Sequence, residues 1–233
     1  MAIIALLVIQ STNSSSTKVA SSTPTTGPTA STSTPPTTVS LAVAPGATIA
    51  GDTPCPAADG SSPRTTSFAK APPTCINASK HYTATMTTDA GVITLALDPV
   101  KAPITTNNFV VLARYHFFDG IAFHRVIPDF VDQGGDPMGT GGGGPGYKFQ
   151  DELPAAGSYK VGSIAMANSG ANTNGSQFFL IAGSQGVALP PSYSLFGQAT
   201  AGLDVIAKIN ADGDASGTPK VVHKMQTVTI AES

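Results

Sequence analysis

The sequence predicts a mainly β domain, a closed antiparallel barrel with helices over its ends, set behind a long low-complexity N-terminal segment. Three observations predict it. From His81 onward, short alternating or apolar runs recur between turn residues. Only two stretches in that region carry helical periodicity. The composition is rich in turn formers and poor in charge, with 24 Gly, 19 Pro and 11% charged residues among 233. Many short strands with two isolated helices fit a sheet closed on itself.

The chain opens with the apolar run Ala2–Ile9, shorter than the ~20 residues that span a bilayer. No basic region precedes it and no small-residue cleavage site clearly follows. Residues 1–10 read as the remnant of a signal or anchor segment; the bland alternative is a short apolar end of no consequence. Residues 11–40 are almost entirely Ser, Thr, Pro, Ala and Gly. Such a run cannot bury enough apolar surface to offset its ordering entropy, so a disordered linker is expected. Extended at about 3 Å per residue it would reach roughly 90 Å, a spacer from a membrane surface. The expected location is therefore outside the cytoplasm, secreted or tethered through the N-terminus.

Residues 41–80 read as an irregular, partly ordered lead-in containing Cys55 and Cys75. The two cysteines lack metal or C-x-x-C spacing. In an exported chain a disulfide between them is the natural pairing, closing a loop of about 20 residues worth roughly 3 kcal/mol. Two free thiols are the alternative.

From residue 81 the elements follow in order. Tyr82–Thr87 alternates, Asp89-Ala90-Gly91 supplies a turn, and Val92–Leu97 is apolar: an antiparallel hairpin. After Pro103, TTNNFVVLARY reads as a helix, with Thr105 or Thr106 as cap and Phe109, Leu112 and Ala113 on one face. Phe123–Val131 reads as strand, broken at Pro128-Asp129. Ser163–Ala167 and Gln177–Ile181 read as two more strands. Leu203, Ile206, Ala207 and Asn210 mark a second helix starting near Gly202, and Gln226–Ile230 a closing strand.

Several function classes are excluded. Twelve Lys+Arg against 14 Asp+Glu give a net charge of -2, without the basic face that nucleic acid requires. Gly139–Gly144 matches G-x-G-x-x-G in letters, but Pro145, Gly146 and Tyr147 follow instead of a helix, so a surface loop is expected. His81, His116, His124 and His223 are scattered without metal-ligand spacing, and no metal is expected. No G-x-S-x-G elbow occurs. Asn174-Gly175-Ser176 and Asn77-Ala78-Ser79 match the glycosylation pattern, but the first lies in a packed-looking motif and the second is a chance-level match.

Two segments stand apart: FHRVIPDFVDQGGD (Phe123–Asp136) and GSIAMANSGANTNGSQFFL (Gly162–Leu180). Alternation places Phe123, Arg125 and Ile127 on one strand face. An arginine among large apolar neighbours needs a partner or a task, and Gln133 can orient it. On this strand alone, a structural Arg–polar pair is the simpler reading. The second segment is rich in small and amide residues, suited to gripping an extended peptide backbone. Within it, Phe178 and Phe179 point to opposite faces.

These two segments resemble the signature stretches of the cyclophilin family, and Phe196–Gln198 with GLDVIAKI is similar to that family's closing strand and helix. The resemblance spans residues 81–233. It implies an eight-stranded antiparallel barrel capped by two helices, and prolyl isomerase activity without a cofactor. It assigns Arg125 as the catalytic arginine. Phe130, Val131, Phe179 and Leu189 would line the proline pocket, while Gln133, Ala167, Asn168 and Gln177 would hold the peptide backbone. Val131 stands where Met is usual and Ser169 where Ala is common. Ala188 and Tyr193 occupy positions where Trp and His are frequent. The expected partners are proline-containing peptides and unfolded exported proteins, met by a monomer. The competing functions are a proline-peptide binding module or envelope chaperone with little turnover, and a stalked structural protein.

Overall fold

The computed structural model describes residues 40–233. The apolar opening segment and nearly all of the Ser/Thr/Pro-rich run lie outside the described residues.

The lead-in is more regular than expected. β1 (Ala47–Ile49) and β2 (Thr65–Phe68) form a parallel pair of their own. Arg64 fastens them to the body: Nε donates to the His116 carbonyl, Nη2 to the Asp119 carbonyl and Nη1 to the Ala44 carbonyl. Cys55 and Cys75 are joined by a disulfide, their Cα atoms 5.4 Å apart. Neither strand was legible locally, because the residues that pair are about 20 positions apart and each run is only three or four long.

β3 (Tyr82–Thr88) and β4 (Gly91–Leu97) form the expected hairpin. Alternation sets Tyr82, Ala84 and Met86 opposite Leu97, Leu95 and Ile93, so both strands send the same face inward. The Thr88 hydroxyl closes the turn, accepting from the Ala90 and Gly91 N–H groups.

α1 (Pro103–Arg114) follows, with Pro at its first turn. Its start corrects the sequence reading: the cap residue is Ala102, and Thr105 and Thr106 are buried inside the helix. The orphan N–H groups of Ile104 and Thr105 are instead met by the Glu152 carboxylate, at 2.9 and 2.8 Å. The helix is buried on every side from Thr105 to Arg114, so its apolar face is wider than three residues.

β5 (Arg125–Ile127) and β6 (Val131–Gly134) form a second hairpin where one broken strand was expected. Phe123 does not share Arg125's face. The alternation is interrupted at His124, and Phe123 enters the main core while Arg125 faces outward. β7 (Ser163–Met166), β8 (Phe178–Ile181) and β9 (Leu195–Ala201) follow. Between β8 and β9 lies α2 (Ser184–Val187), a single turn that raises the helix count of the described residues to three rather than two. α3 (Leu203–Ala211) starts after Gly202, and β10 (Met225–Glu232) closes the chain.

The eight strands β3–β10 form one antiparallel sheet in the order β10-β3-β4-β9-β7-β8-β6-β5. It curls until its edges meet: Phe123 N–H donates to the His223 carbonyl and Met225 N–H to the Ile121 carbonyl, each at 2.9 Å. Inside sits an aromatic cluster. Phe109 stacks on Phe118 at 4.9 Å between centroids, and Phe178 meets both edge-on at 5.6 Å. α1 packs beside β9 and β10, and α3 beside β4, β5 and β6.

Candidate active site

Because Val126 points into the core, Arg125 on the same strand points out. Register places it directly opposite Gln133 on β6, and Arg125 Nη1 donates to Gln133 Oε1 at 3.2 Å. The guanidinium lies 5.8 Å over the Phe130 ring, a distance at which the ring's quadrupole favours the cation. Among the described residues no carboxylate comes within ion-pair distance of it. Its charge is held but not neutralised.

Beside it is a cavity of about 190 Å³ lined by Arg125, Phe130, Val131, Gln133, Ala167, Asn168, Phe179, Leu189 and Tyr193. Whole-ligand pockets run to about 300–1,000 Å³, so this one suits a single ring or side chain. Its floor is a second, smaller apolar cluster of Val131, Tyr159, Ala165, Phe179 and Ile181 on the outer face of the barrel wall. Phe178 and Phe179 divide as expected, Phe178 into the barrel core and Phe179 into this floor, where its ring meets Tyr193 edge-on at 5.3 Å. Tyr159 fixes the rim: its hydroxyl donates to the Tyr193 carbonyl at 2.7 Å and accepts from the Tyr193 N–H.

Gln177 lies one cavity over. A space of about 610 Å³ adjoins the first and shares Gln133, Ala167 and Asn168 with it; its other walls include Gln177, Gly141–Gly144 and Lys148. Amides connect the two. Gln133 Nε2 donates to Gln177 Oε1 at 3.0 Å, and Gln177 Nε2 donates to the carbonyls of Gly141 and Gly143, both at 2.9 Å. Eight of the nine residues expected around Arg125 thus line one cavity with it, and the ninth, Gln177, lines the adjoining one and is joined to the first through Gln133. Ala188 sits at the end of α2, next to Leu189 on the rim.

The glycine-rich loop is anchored by Asp136. Burial raises the pKa of that carboxyl, but N–H groups of Met138, Gly143, Gly141 and Thr140 outweigh burial and hold it below the ordinary carboxylate range. His124, next to Arg125, is kept toward its neutral form mainly by burial and further by Arg125, against the pull of Asp136.

Sequence reasoning missed Tyr159 and Gly217. The Arg125 stem packs so closely on Gly217 that a β-carbon there would lie 3.2 Å from Arg125 Cγ. Both residues reach the site from distant segments, and neither carries a local signal. Among the described residues no cluster of His, Cys, Asp or Glu could hold a metal ion, and no helix is long and apolar enough to cross a membrane. Asn174 is fully buried, which removes it as a glycan acceptor.

The family model described as "Cyclophilin type peptidyl-prolyl cis-trans isomerase/CLD" matches residues 83–232. Peptidyl-prolyl cis-trans isomerase B of Bacillus subtilis is 44% identical over 127 residues, covering 54% of this chain and 87% of that one. Peptidyl-prolyl cis-trans isomerase A of Mycobacterium tuberculosis is 41% identical over 170 residues, covering 64% and 92%. A crystal structure of a Cryptosporidium parvum cyclophilin-type isomerase, solved in the presence of the dipeptide Ala-Pro, matches with TM-score 0.60 at 30% identity, over 64% of this chain and 98% of that one. Barrel, groove and relatives agree, and the chain belongs to the cyclophilin-type peptidyl-prolyl cis-trans isomerases.

Proposed function

We propose that this isomerase acts on X-Pro bonds of exported proteins, and that Arg125 lowers the rotation barrier by hydrogen bonding to the prolyl nitrogen. Planar amide resonance gives the bond a barrier of about 18–20 kcal/mol. As the bond twists, the nitrogen becomes pyramidal and offers a lone pair absent in the planar form. A guanidinium fixed beside that nitrogen binds the twisted state better than either planar one, which is the requirement for catalysis. The apolar floor built on Val131, Phe179 and Ile181 adds to this by excluding the water that stabilises the polar resonance form. A reduction of about 5 kcal/mol corresponds to roughly 10³–10⁴ in rate.

The observation that carries the reading is the unneutralised Arg125, oriented by Gln133 over a cavity the size of one ring. The relative solved with Ala-Pro supports a proline-containing dipeptide as the minimal ligand. The disulfide and the Ser/Thr/Pro-rich N-terminal run support an oxidising, extracytoplasmic setting, where slow proline steps delay folding. In the test, Arg125→Ala lowers kcat/KM for an X-Pro peptide by about 10²–10³-fold, as for loss of one preorganised donor, with unchanged thermal melting. Equal rates for the two proteins reject the assignment.

A further inference from the structure

The lead-in and the glycine-rich loop meet in a way that the family match does not cover, since residues 41–68 precede the matched segment 83–232. The lead-in holds both stems of the loop. At the first stem, Val43 N–H donates to the Pro137 carbonyl at 3.0 Å. At the last, Phe68 N–H donates to the Pro145 carbonyl at 2.8 Å. Contacts at each stem are tight enough to demand glycine: a β-carbon at Gly139 (φ +66°) would collide with Leu41, and one at Gly146 (φ +107°) with the Phe68 carbonyl. The Phe68 ring also meets Tyr147 edge-on, 6.3 Å between centroids.

Between those stems the loop supplies the wall of the larger cavity and the two carbonyls that hold the Gln177 amide. Gln177 in turn fixes Gln133, and Gln133 fixes Arg125. The contact chain therefore runs unbroken from the lead-in to the groove. The disulfide closes the segment that contains Arg64 and Phe68, so the second stem contact belongs to a covalently closed loop.

We infer that the N-terminal segment Leu41–Phe68 is a positioning element for substrate binding: it sets the glycine-rich loop, and through it the affinity for peptides that extend beyond the proline into the larger cavity. This rests on the reading of the groove as the substrate site. The segment touches no reacting atom, and Arg125 is held independently by its packing on Gly217 and over the Phe130 ring, so the effect falls on KM for long peptides and spares the chemistry at the smaller cavity.

The test uses the full chain and two substrates followed by NMR cis/trans exchange: an Ala-Pro dipeptide, and a hexapeptide with Ala-Pro at its centre. Val43→Pro removes the N–H that holds Pro137; Val43→Ile keeps it. The expected result is a several-fold rise in KM for the hexapeptide with kcat unchanged, both constants unchanged for the dipeptide, and wild-type behaviour for Val43→Ile. Leu41→Ala, a milder change at a half-buried side chain, gives a smaller shift in the same direction and carries the test if Val43→Pro does not fold. Variants indistinguishable from wild type on both peptides overturn the inference. So does a parallel loss on dipeptide and hexapeptide, which marks a merely structural role. A wild-type chain that isomerises neither peptide rejects the underlying catalytic reading, and this inference with it.

Discussion

Asp132 stands directly behind the groove, between Val131 and Gln133, and its side chain is fully buried. Its Oδ1 accepts from Asn210 Nδ2 at 2.8 Å, and its Oδ2 has no partner. Burial pushes its pKa up to about 7, against the opposing effects of the Asn210 bond and nearby His223. In the unfolded chain an aspartate titrates near 3.9. The folded state therefore keeps a proton that the unfolded state releases between about pH 4 and pH 7, and stability falls as pH rises through that window. A difference of about three pH units, at about 1.4 kcal/mol each, sets a ceiling of about 4 kcal/mol. Asp132→Asn keeps the acceptor for Asn210 and removes the titration. For a domain of this size 1 kcal/mol moves Tm by about 2–4 °C, so the variant should melt up to about 8–16 °C above wild type at pH 8. At pH 4 the two should nearly coincide. Calorimetry across pH 4–8 measures the difference. A gap independent of pH, or a variant less stable than wild type at pH 8, would refute the argument that Asp132 is a desolvated acid.

Two further outcomes are expected. Glu152→Ala leaves the Ile104 and Thr105 N–H groups at the start of α1 without their acceptor and should cost about 1 kcal/mol in denaturant unfolding, while Glu152→Gln retains part of it. The double variant Cys55→Ser/Cys75→Ser should lose about 3 kcal/mol for a closed loop of this length, and the native protein should show no thiol until reduced; rapid labelling of the native chain would contradict the pairing.

Much of the site was legible because its chemistry is carried by two contiguous segments. Arg125, Phe130, Val131 and Gln133 lie within nine residues, and a short hairpin is enough to bring Arg125 opposite Gln133. Ala167, Asn168, Gln177 and Phe179 lie in the other segment, on and between two paired strands. The catalytic role of Arg125 and the pocket roles of Phe130, Val131, Leu189 and Tyr193 came from family resemblance; for the last two, nothing in Pro190-Pro191 and its neighbours sets a period. Phe123 was misplaced because strict alternation was extended through His124, where the backbone leaves the strand to join the β10 side of the barrel.

The sequence by itself determined the β3–β4 hairpin, the two longer helices, the closing strand, and the opposite faces of Phe178 and Phe179. Those properties follow from the two-residue and 3.6-residue periods, which are local. Tertiary structure alone decided where the glycine-rich loop is held, which distant carboxylate caps α1, and that Val43 and Phe68 of the lead-in bond to the two stems of that loop. Each of these is a hydrogen bond or packing contact between residues tens of positions apart, and the chain's periodicity carries no record of such a pairing until closure of the barrel brings the two ends together.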